Sequence, residues 1–195
     1  MTASLMKSPA TYDDLIALPE YVVGEIIGGE LWASPRPAPK HALAGSVLGA
    51  ELLGPFQRGL GGPGGWWIFD EPELHLAEDV LVPDLAGWRR ERLPTLPSEA
   101  HFKLAPDWVC EVLSPSTARL DRRRKLPKYA LAGVQHVWLV DPLNRTLEAL
   151  RWNGEAWAVI DYLDETSQDG RVRIEPFDAV ALDLEALWVP EDGRS

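Results

Sequence analysis

The chain has 195 residues, of which 46% are hydrophobic and 25% are charged. This length predicts a single domain over residues 1–195, with its core at about 12–188, and the composition excludes a disordered, collagen-like or coiled-coil chain. The only cysteine, Cys110, cannot form an intrachain disulfide, and no apolar run reaches the roughly 18 residues of a membrane span. We therefore expect a cytoplasmic protein that does not bind a membrane.

The net charge of −11 opposes binding to nucleic acid, because an acidic surface repels phosphate. The charge is unevenly distributed, however. Residues 89–128 contain ten Lys and Arg against five Asp and Glu, a balance of +5, so the other residues carry −16. This basic stretch leaves a nucleic-acid partner open.

The first half of the chain predicts a helix, a β-hairpin, a second helix and three strands. The hairpin is indicated by two apolar, β-branched runs on either side of a Gly-Gly pair, and Thr11 is a typical helix N-cap. In chain order these elements fall at 11–19 (helix), 21–27 and 30–34 (hairpin, joined by Gly28 and Gly29), 39–53 (helix), and 66–69, 73–77 and 80–88 (strands).

The second half predicts a strand at 108–113, a helix between 118 and 132 that ends at Gly133, and a strand at 137–141. A strand, helix and strand in this order form a crossover unit, which makes the two strands parallel. More short strands are expected within 147–188. Most of the nine Trp lie in strand-like runs, which favours core packing over a platform for carbohydrate or bases.

Two carboxylates interrupt runs that are otherwise apolar on both faces. Asp84 is the one charge in 80–88, and Glu111 is the one charge in 108–113. An unpaired ionised carboxylate in a buried strand costs several kcal/mol, so each must be paired with a cation, bind a metal or take up a proton. Two such acids at the ends of adjacent strands suggest a shared cation, although each could instead pair with a nearby arginine.

A third group comes from the helix after Glu111. Asp121, Lys125 and Tyr129 recur every four residues, which places them on one stripe of a helix, and Lys125 can reach back toward the strand end. Two acids and a lysine suit metal-assisted hydrolysis of a phosphodiester, because carboxylates bind Mg²⁺ and the ammonium can orient water or stabilise developing charge. Pro127 predicts that the regular helix begins close to residue 124 or 125.

The sequence resembles the bacterial Uma-type restriction endonuclease family of the PD-(D/E)xK superfamily, in the order and spacing of several segments. The most specific is Glu-Val-Leu-Ser-Pro-Ser-Thr at 111–117. The others are 25–31, Val-Pro-Asp at 82–84, 121–125 with Tyr129, Gly-Val at 133–134, and Trp-Leu-Val-Asp-Pro at 138–142.

This resemblance implies an α/β (α+β) fold with a restriction-endonuclease-like core, a mixed central sheet flanked by helices, and an N-terminal β-hairpin. It implies Asp84 and Glu111 as ligands of Mg²⁺ or Mn²⁺, with the backbone carbonyl of Val112 as a third. Leu113 stands where the superfamily normally has its lysine, so the resemblance assigns the catalytic lysine to Lys125, with Lys128 as the second choice.

Glu25 and His41 are further candidates. The resemblance implies that Glu25 is an accessory catalytic carboxylate near the metal, while a paired acid on an edge strand is the alternative. His41 stands at a helix start, where it could contact phosphate or face water. The other histidines, His75, His101 and His136, show no metal-ligand spacing and are expected at the surface.

The sequence thus predicts a Mg²⁺- or Mn²⁺-dependent endonuclease that hydrolyses DNA, acting through Asp84, Glu111, Lys125 and Glu25. The basic residues Arg119, Arg122, Arg123, Arg124 and Lys128 are expected to contact backbone phosphates. The alternative is an inactive protein of the same fold that binds nucleic acid or a protein partner. A homodimer would suit an enzyme that cuts two strands. A carbohydrate enzyme with paired carboxylates is disfavoured, since it leaves Lys125 and the arginines without a role.

Overall fold

The computed structural model describes residues 3–164 and 171–189, whose strands form three sheets. The strands are β1 (Ser4–Lys7), β2 (Val22–Ile27), β3 (Glu30–Pro35), β4 (Trp66–Asp70), β5 (Leu74–Leu76), β6 (Asp79–Leu81), β7 (Leu85–Arg89), β8 (Trp108–Val112), β9 (His136–Asp141), β10 (Thr146–Trp152), β11 (Trp157–Leu163), β12 (Arg171–Val172) and β13 (Leu182–Asp183). The helices are α1 (Tyr12–Ile16), α2 (Pro39–Leu52), α3 (Ala118–Leu120) and α4 (Leu126–Ala132), with π-helical turns at Leu53–Gln57 and Asp121–Lys125 and a 3₁₀ turn at Glu185–Leu187. Within the described ranges, no helix has both the length and the apolar character that crossing a membrane requires.

The central sheet has six strands in the order β11-β10-β9-β8-β7-β4. Its β8 and β9 run parallel, as the crossover pattern predicts, and its other neighbours run antiparallel. The sheet is therefore mixed. β12 and β13 form a separate antiparallel pair.

A second sheet contains the predicted N-terminal hairpin. Its order is β1-β3-β2-β6-β5, and every neighbouring pair is antiparallel. The hairpin turn needs two consecutive residues with positive φ, which Gly28 (63°) and Gly29 (74°) supply without strain. Thr11 caps α1 through a capping box. Its side chain accepts a hydrogen bond from the backbone N–H of Asp14, and the side chain of Asp14 accepts one from the backbone N–H of Thr11.

The central sheet is covered on both faces, which explains its nearly continuous apolar strands. Alternate residues of β8 point to opposite sides. Trp108 and Cys110 pack in a core with α2 and the segment around Phe177, while Val109 packs in a core with α4. Trp66, Trp88, Trp108 and Trp138 are buried, so the predicted core role of these tryptophans is confirmed.

The prediction of one strand over 80–88 is wrong. The run is divided between β6, in the hairpin sheet, and β7, in the central sheet. Pro83 lies in the connection, where its missing N–H breaks the strand ladder. Asp84 therefore lies in the link between the two sheets, directly before β7, rather than inside a strand that is buried on both sides.

The crossover helix is irregular. Helical residues run from α3 through the π-helical turn at Asp121–Lys125 into α4, and the backbone N–H of Leu126 bonds to the carbonyl of Asp121. Regular α-helix begins at Leu126 with Pro127 in its first turn, as predicted, but the preceding residues are helical as well. Gly133 ends the helix in the left-handed conformation, with φ of 86°.

Candidate active site

An open cleft of about 600 Å³ lies where the two large sheets and the crossover helix meet. Residues from distant parts of the sequence line it, and most of its charged side chains are acidic. Its titratable lining residues are Glu25, Arg36, His41, Glu71, Asp84, Glu111, Asp121 and Lys125. The structure thus brings to one cleft Asp84, Glu111, Lys125 and Glu25, the four residues predicted to be catalytic.

Lys125 lies at the centre of the acidic group and is only 3% exposed. Its Nζ is 2.9 Å from Oε1 of Glu111, 3.0 Å from Oε1 of Glu25 and 3.5 Å from Oδ1 of Asp121. Burial alone would lower the pKa of Lys125, but Glu111 and Glu25 outweigh burial and raise it well above its usual value. The ammonium is therefore charged throughout the physiological range.

Glu111 is 2% exposed and points toward α4 rather than toward α2. The hydroxyl of Tyr129 donates a hydrogen bond of 2.5 Å to its Oε1, the same oxygen that faces Lys125. Burial raises the pKa of Glu111 well above its usual range, and Lys125 offsets only part of that effect. This carboxylate is held in place by two donors on one oxygen.

Asp84 has a different environment. Its Oδ2 accepts the backbone N–H of Val112 at 2.7 Å, and Nε2 of His41 lies 3.4 Å from its Oδ1. Burial lowers the pKa of His41, so the imidazole is neutral near pH 7 and does not balance the charge of Asp84. In the described part of the chain, no Lys or Arg forms an ion pair with Asp84. Burial consequently raises the pKa of Asp84 to about 7.

Glu25 is also buried, and it holds Lys125. Its Oε1 accepts the backbone N–H of Val82 at 2.8 Å and lies 3.0 Å from the Lys125 ammonium. The alternative of an acid on an edge strand is wrong, because β2 lies between β3 and β6 inside its sheet. The side chain is paired, yet it also lines the cleft.

The cleft holds more carboxyl groups than its own cations can balance once all of them are ionised. Glu25, Asp84, Glu111 and Asp121 meet one buried ammonium, and burial raises the pKa of Asp121 to about 6. Buried like charges are costly unless a cation compensates them. Oxygen donors with unbalanced charge fit Mg²⁺ or Mn²⁺, which prefer carboxylate, carbonyl and water ligands. The residues present therefore fit the predicted cofactor.

The second candidate lysine, Lys128, points elsewhere. Its Nζ forms an ion pair of 2.9 Å with Asp79, and it does not line the cleft. Two of the arginines expected to contact phosphate are also paired with acids: Arg122 with Glu148 at 2.8 Å and Arg124 with Glu30 at 3.5 Å. The basic stretch is therefore less available to phosphate than its sequence indicates.

The three histidines expected at the surface are instead partly buried. His75 and His101 are partly buried and lie beside Glu73, and the three side chains form a group that could hold a metal ion. His136 is also partly buried, 3.5 Å from Glu175. The sequence does carry one signal for the cluster, since Glu73 and His75 are two residues apart next to a strand and so share a face. His101 is too distant in sequence to be connected with them.

Two residues of the site were recognised only as part of a helical stripe. Asp121 contacts Lys125, and Tyr129 contacts Glu111, so both belong to the group around the ammonium. The four-residue spacing places them on the correct side of the helix. It does not reveal their hydrogen-bond partners, because those depend on how the helix packs against β8.

Comparison with known proteins identifies the family and the fold of this chain. The sequence model of the family described as "Uma2: Putative restriction endonuclease" matches residues 10–184. No match was found among curated proteins. The crystal structure of a putative nuclease belonging to DUF820 from Anabaena variabilis is similar, with a TM-score of 0.72 and 24% sequence identity over 92% of this chain and 97% of that chain. The predicted restriction-endonuclease-like fold is confirmed, and the chain belongs to the Uma2 family of putative restriction endonucleases.

Proposed function

We propose that this protein is a Mg²⁺- or Mn²⁺-dependent endonuclease that hydrolyses phosphodiester bonds of DNA. The observation that carries the proposal is the environment of Asp84. This partly buried carboxylate, whose side chain is 20% exposed, faces the same cleft as Glu111, and within the described residues it has no cationic side chain as an ion-pair partner apart from a histidine that burial keeps neutral. A divalent cation would supply the missing charge.

The proposed ligands are Asp84, Glu111 and the backbone carbonyl of Val112. Lys125 and Tyr129 both contact Oε1 of Glu111, so the proposal assigns Oε2 to the cation. Val112 holds the two acids near each other. It directly follows Glu111 in the chain, and its backbone N–H donates a hydrogen bond to Asp84. When bound, the cation would supply Lewis-acid activation of water and neutralise charge on the scissile phosphate.

Lys125 is the proposed catalytic lysine. Glu25, Glu111 and Asp121 all lie within 3.5 Å of its ammonium, so three ion pairs fix the end of this long side chain. A fixed ammonium next to the metal ligands can orient the attacking water and stabilise charge that develops on the phosphate. Glu25 acts as the accessory carboxylate that positions this lysine.

The proposed substrate is DNA, in keeping with the family. Arg36 lines the cleft, and Arg119 and Arg123 are exposed on the crossover helix, so these side chains are the proposed contacts to backbone phosphates. Because the chain carries a net charge of −11, binding should depend strongly on the divalent cation. Cleavage of both strands would be favoured by a homodimer, which light scattering of the purified protein measures.

The test is the conversion of supercoiled plasmid to nicked and linear forms in the presence of Mn²⁺, with Asp84→Asn and Glu111→Gln beside the wild type. Asp107→Asn is the matched control, since Asp107 is buried beside the opposite end of β8 and pairs with Arg92 outside the cleft. The wild type and Asp107→Asn should nick the plasmid, and the two site variants should be at least about 100-fold slower. Equal rates for wild type and Asp84→Asn would identify the activity as a contaminant.

One observation favours the alternative, an inactive relative that binds nucleic acid or a protein partner. Lys125 already balances part of the charge of Glu25 and Glu111 without any metal. Calorimetry separates the two functions. An active site should bind one Mn²⁺ and lose that binding in Glu111→Gln, whereas an inactive one should show no binding that this substitution removes.

A further inference from the structure

A second group of metal-ligand side chains lies outside the cleft. Glu73 and His75 come from the start of β5, and His101 comes from the connection between β7 and β8. Two backbone hydrogen bonds hold that connection against β5: the N–H of His75 donates to the carbonyl of Phe102 at 2.8 Å, and the N–H of Phe102 donates to the carbonyl of Glu73 at 2.9 Å. The backbone thus fixes the three residues relative to one another.

The side chains are close enough to share one ion. The ligand atoms that they offer all lie within 4.8 Å of one another. Nε2 of His75 is 2.6 Å from Oε1 of Glu73, and the two imidazole rings stack with centroids 3.8 Å apart. Ligand atoms around a tetrahedral Zn²⁺ are about 3.3 Å apart at bond lengths near 2.0 Å, so the distances fit one ion once the two rings turn out of their stacked arrangement.

His101 provides an independent indication. Its Nε2 is buried and has no hydrogen-bond partner in the described part of the chain. A buried polar atom without a partner destabilises the fold, and most buried polar atoms in folded proteins are hydrogen-bonded. A metal ion bound in the plane of the His101 ring would give this nitrogen the partner that it lacks.

We propose that Glu73, His75 and His101 bind one Zn²⁺ or a similar transition-metal ion. Two imidazoles and one carboxylate are a typical ligand set for Zn²⁺, whereas Mg²⁺ prefers oxygen ligands alone. The hydroxyl of Tyr12 donates to Oε1 of Glu73 at 2.8 Å, and this hydrogen bond fixes the orientation of the carboxylate. Water completes the coordination. This site is separate from the proposed nuclease centre, because none of its three ligands lines that cleft.

The ion would have a structural effect. It would join the strand β5 to the long connection at 90–107, and through Tyr12 it would also fix the start of α1. The same connection carries Leu104, whose carbonyl accepts the indole N–H of buried Trp88 at 2.9 Å. Metal binding at this site should therefore stabilise the folded protein, since an ion that binds only the native state raises its stability.

The test uses full-length protein that has been treated with chelator and dialysed. Isothermal titration with Zn²⁺ gives stoichiometry and affinity, and Co²⁺ substitution reports tetrahedral coordination by visible absorption. The variants are His101→Ala and Glu73→Gln, with His136→Ala, at the start of β9 in the central sheet, as the matched control. Asp84→Asn, which alters only the proposed nuclease centre, is included so that the two metal sites can be distinguished.

We expect one tight Zn²⁺ site in the wild type, in His136→Ala and in Asp84→Asn, and a rise in melting temperature when Zn²⁺ is added. His101→Ala and Glu73→Gln should each bind at least about 100-fold more weakly, and Tyr12→Phe about 10-fold more weakly. Equal Zn²⁺ affinity in wild type and in both ligand variants would overturn the proposal, as would loss of the tight site in Asp84→Asn alone. Circular dichroism checks that each variant is folded.

Discussion

Replacing Lys125 with methionine tests how the acidic cleft is stabilised. Methionine keeps most of the volume of the side chain and removes the ammonium that lies within 3.5 Å of Glu25, Glu111 and Asp121. All three carboxylates are buried, so they would lose their shared counter-ion without gaining water. Breaking a buried ion pair from one side costs about 3–5 kcal/mol, and we expect a loss of this size in the free energy of unfolding at pH 8.

The loss in the free energy of unfolding of Lys125→Met should depend on pH. Without Lys125 the carboxylates can avoid the cost only by taking up protons, so the pKa values of Glu111 and Asp121, which burial already raises, should rise further in the folded state. The unfolded chain is deprotonated above pH 5, hence the folded variant binds more protons and becomes less stable as pH rises. The destabilisation should therefore be smaller at pH 5.5 than at pH 8.

Urea denaturation at the two pH values measures the effect in chelator-treated protein. Lys128→Met is the matched control, because Lys128 forms a more exposed ion pair with Asp79 outside the cleft. That variant should lose about 1 kcal/mol. The reasoning is refuted if the two variants are equally stable at pH 8, or if the loss in Lys125→Met does not shrink at pH 5.5.

Two other predictions concern charge and backbone geometry. Because burial raises the pKa of Asp84 to about 7 and that of Asp121 to about 6, the metal-free folded protein retains protons that the unfolded chain has lost, so its stability should fall as pH rises from 5 to 8. Asp84→Asn should remove up to about 2.6 kcal/mol of that fall, measured from urea midpoints across this range; an unchanged slope would contradict the assigned pKa. Gly133→Ala should lower stability by about 1–2 kcal/mol because φ is 86° there and nothing lies near the added methyl, whereas Gly45→Ala, inside α2 and equally uncrowded, should raise it by about 0.5–1 kcal/mol. Thermal melting of both variants checks this contrast, and equal shifts would contradict it.

The sequence predicts most of the local elements because their signals are local. Gly28 and Gly29 supply the positive φ values that the hairpin turn needs, and Gly133 marks the end of the crossover helix. The parallel pairing of β8 and β9 follows from the strand, helix and strand order. The division of residues 80–88 between two strands was not predicted, because the run is apolar on both sides of Pro83 and one proline does not show that the chain changes sheets there.

The candidate site was partly predictable for a similar reason. A lone acid in an apolar run is conspicuous, which identifies Asp84 and Glu111 before any contact is known. The pairing of Lys125 with Glu25 depends on how two sheets meet, and nothing local encodes it. The cluster of Glu73, His75 and His101 was missed because the 90–107 connection brings distant residues together.

Anomalous diffraction from crystals soaked in Mn²⁺ tests the central claim most directly. We expect an anomalous difference peak within coordination distance of the carboxylates of Asp84 and Glu111 and of the carbonyl of Val112, with the Lys125 ammonium beside it. No peak in the cleft, with Lys125 still the only cation between the acids, would contradict the proposed metal centre.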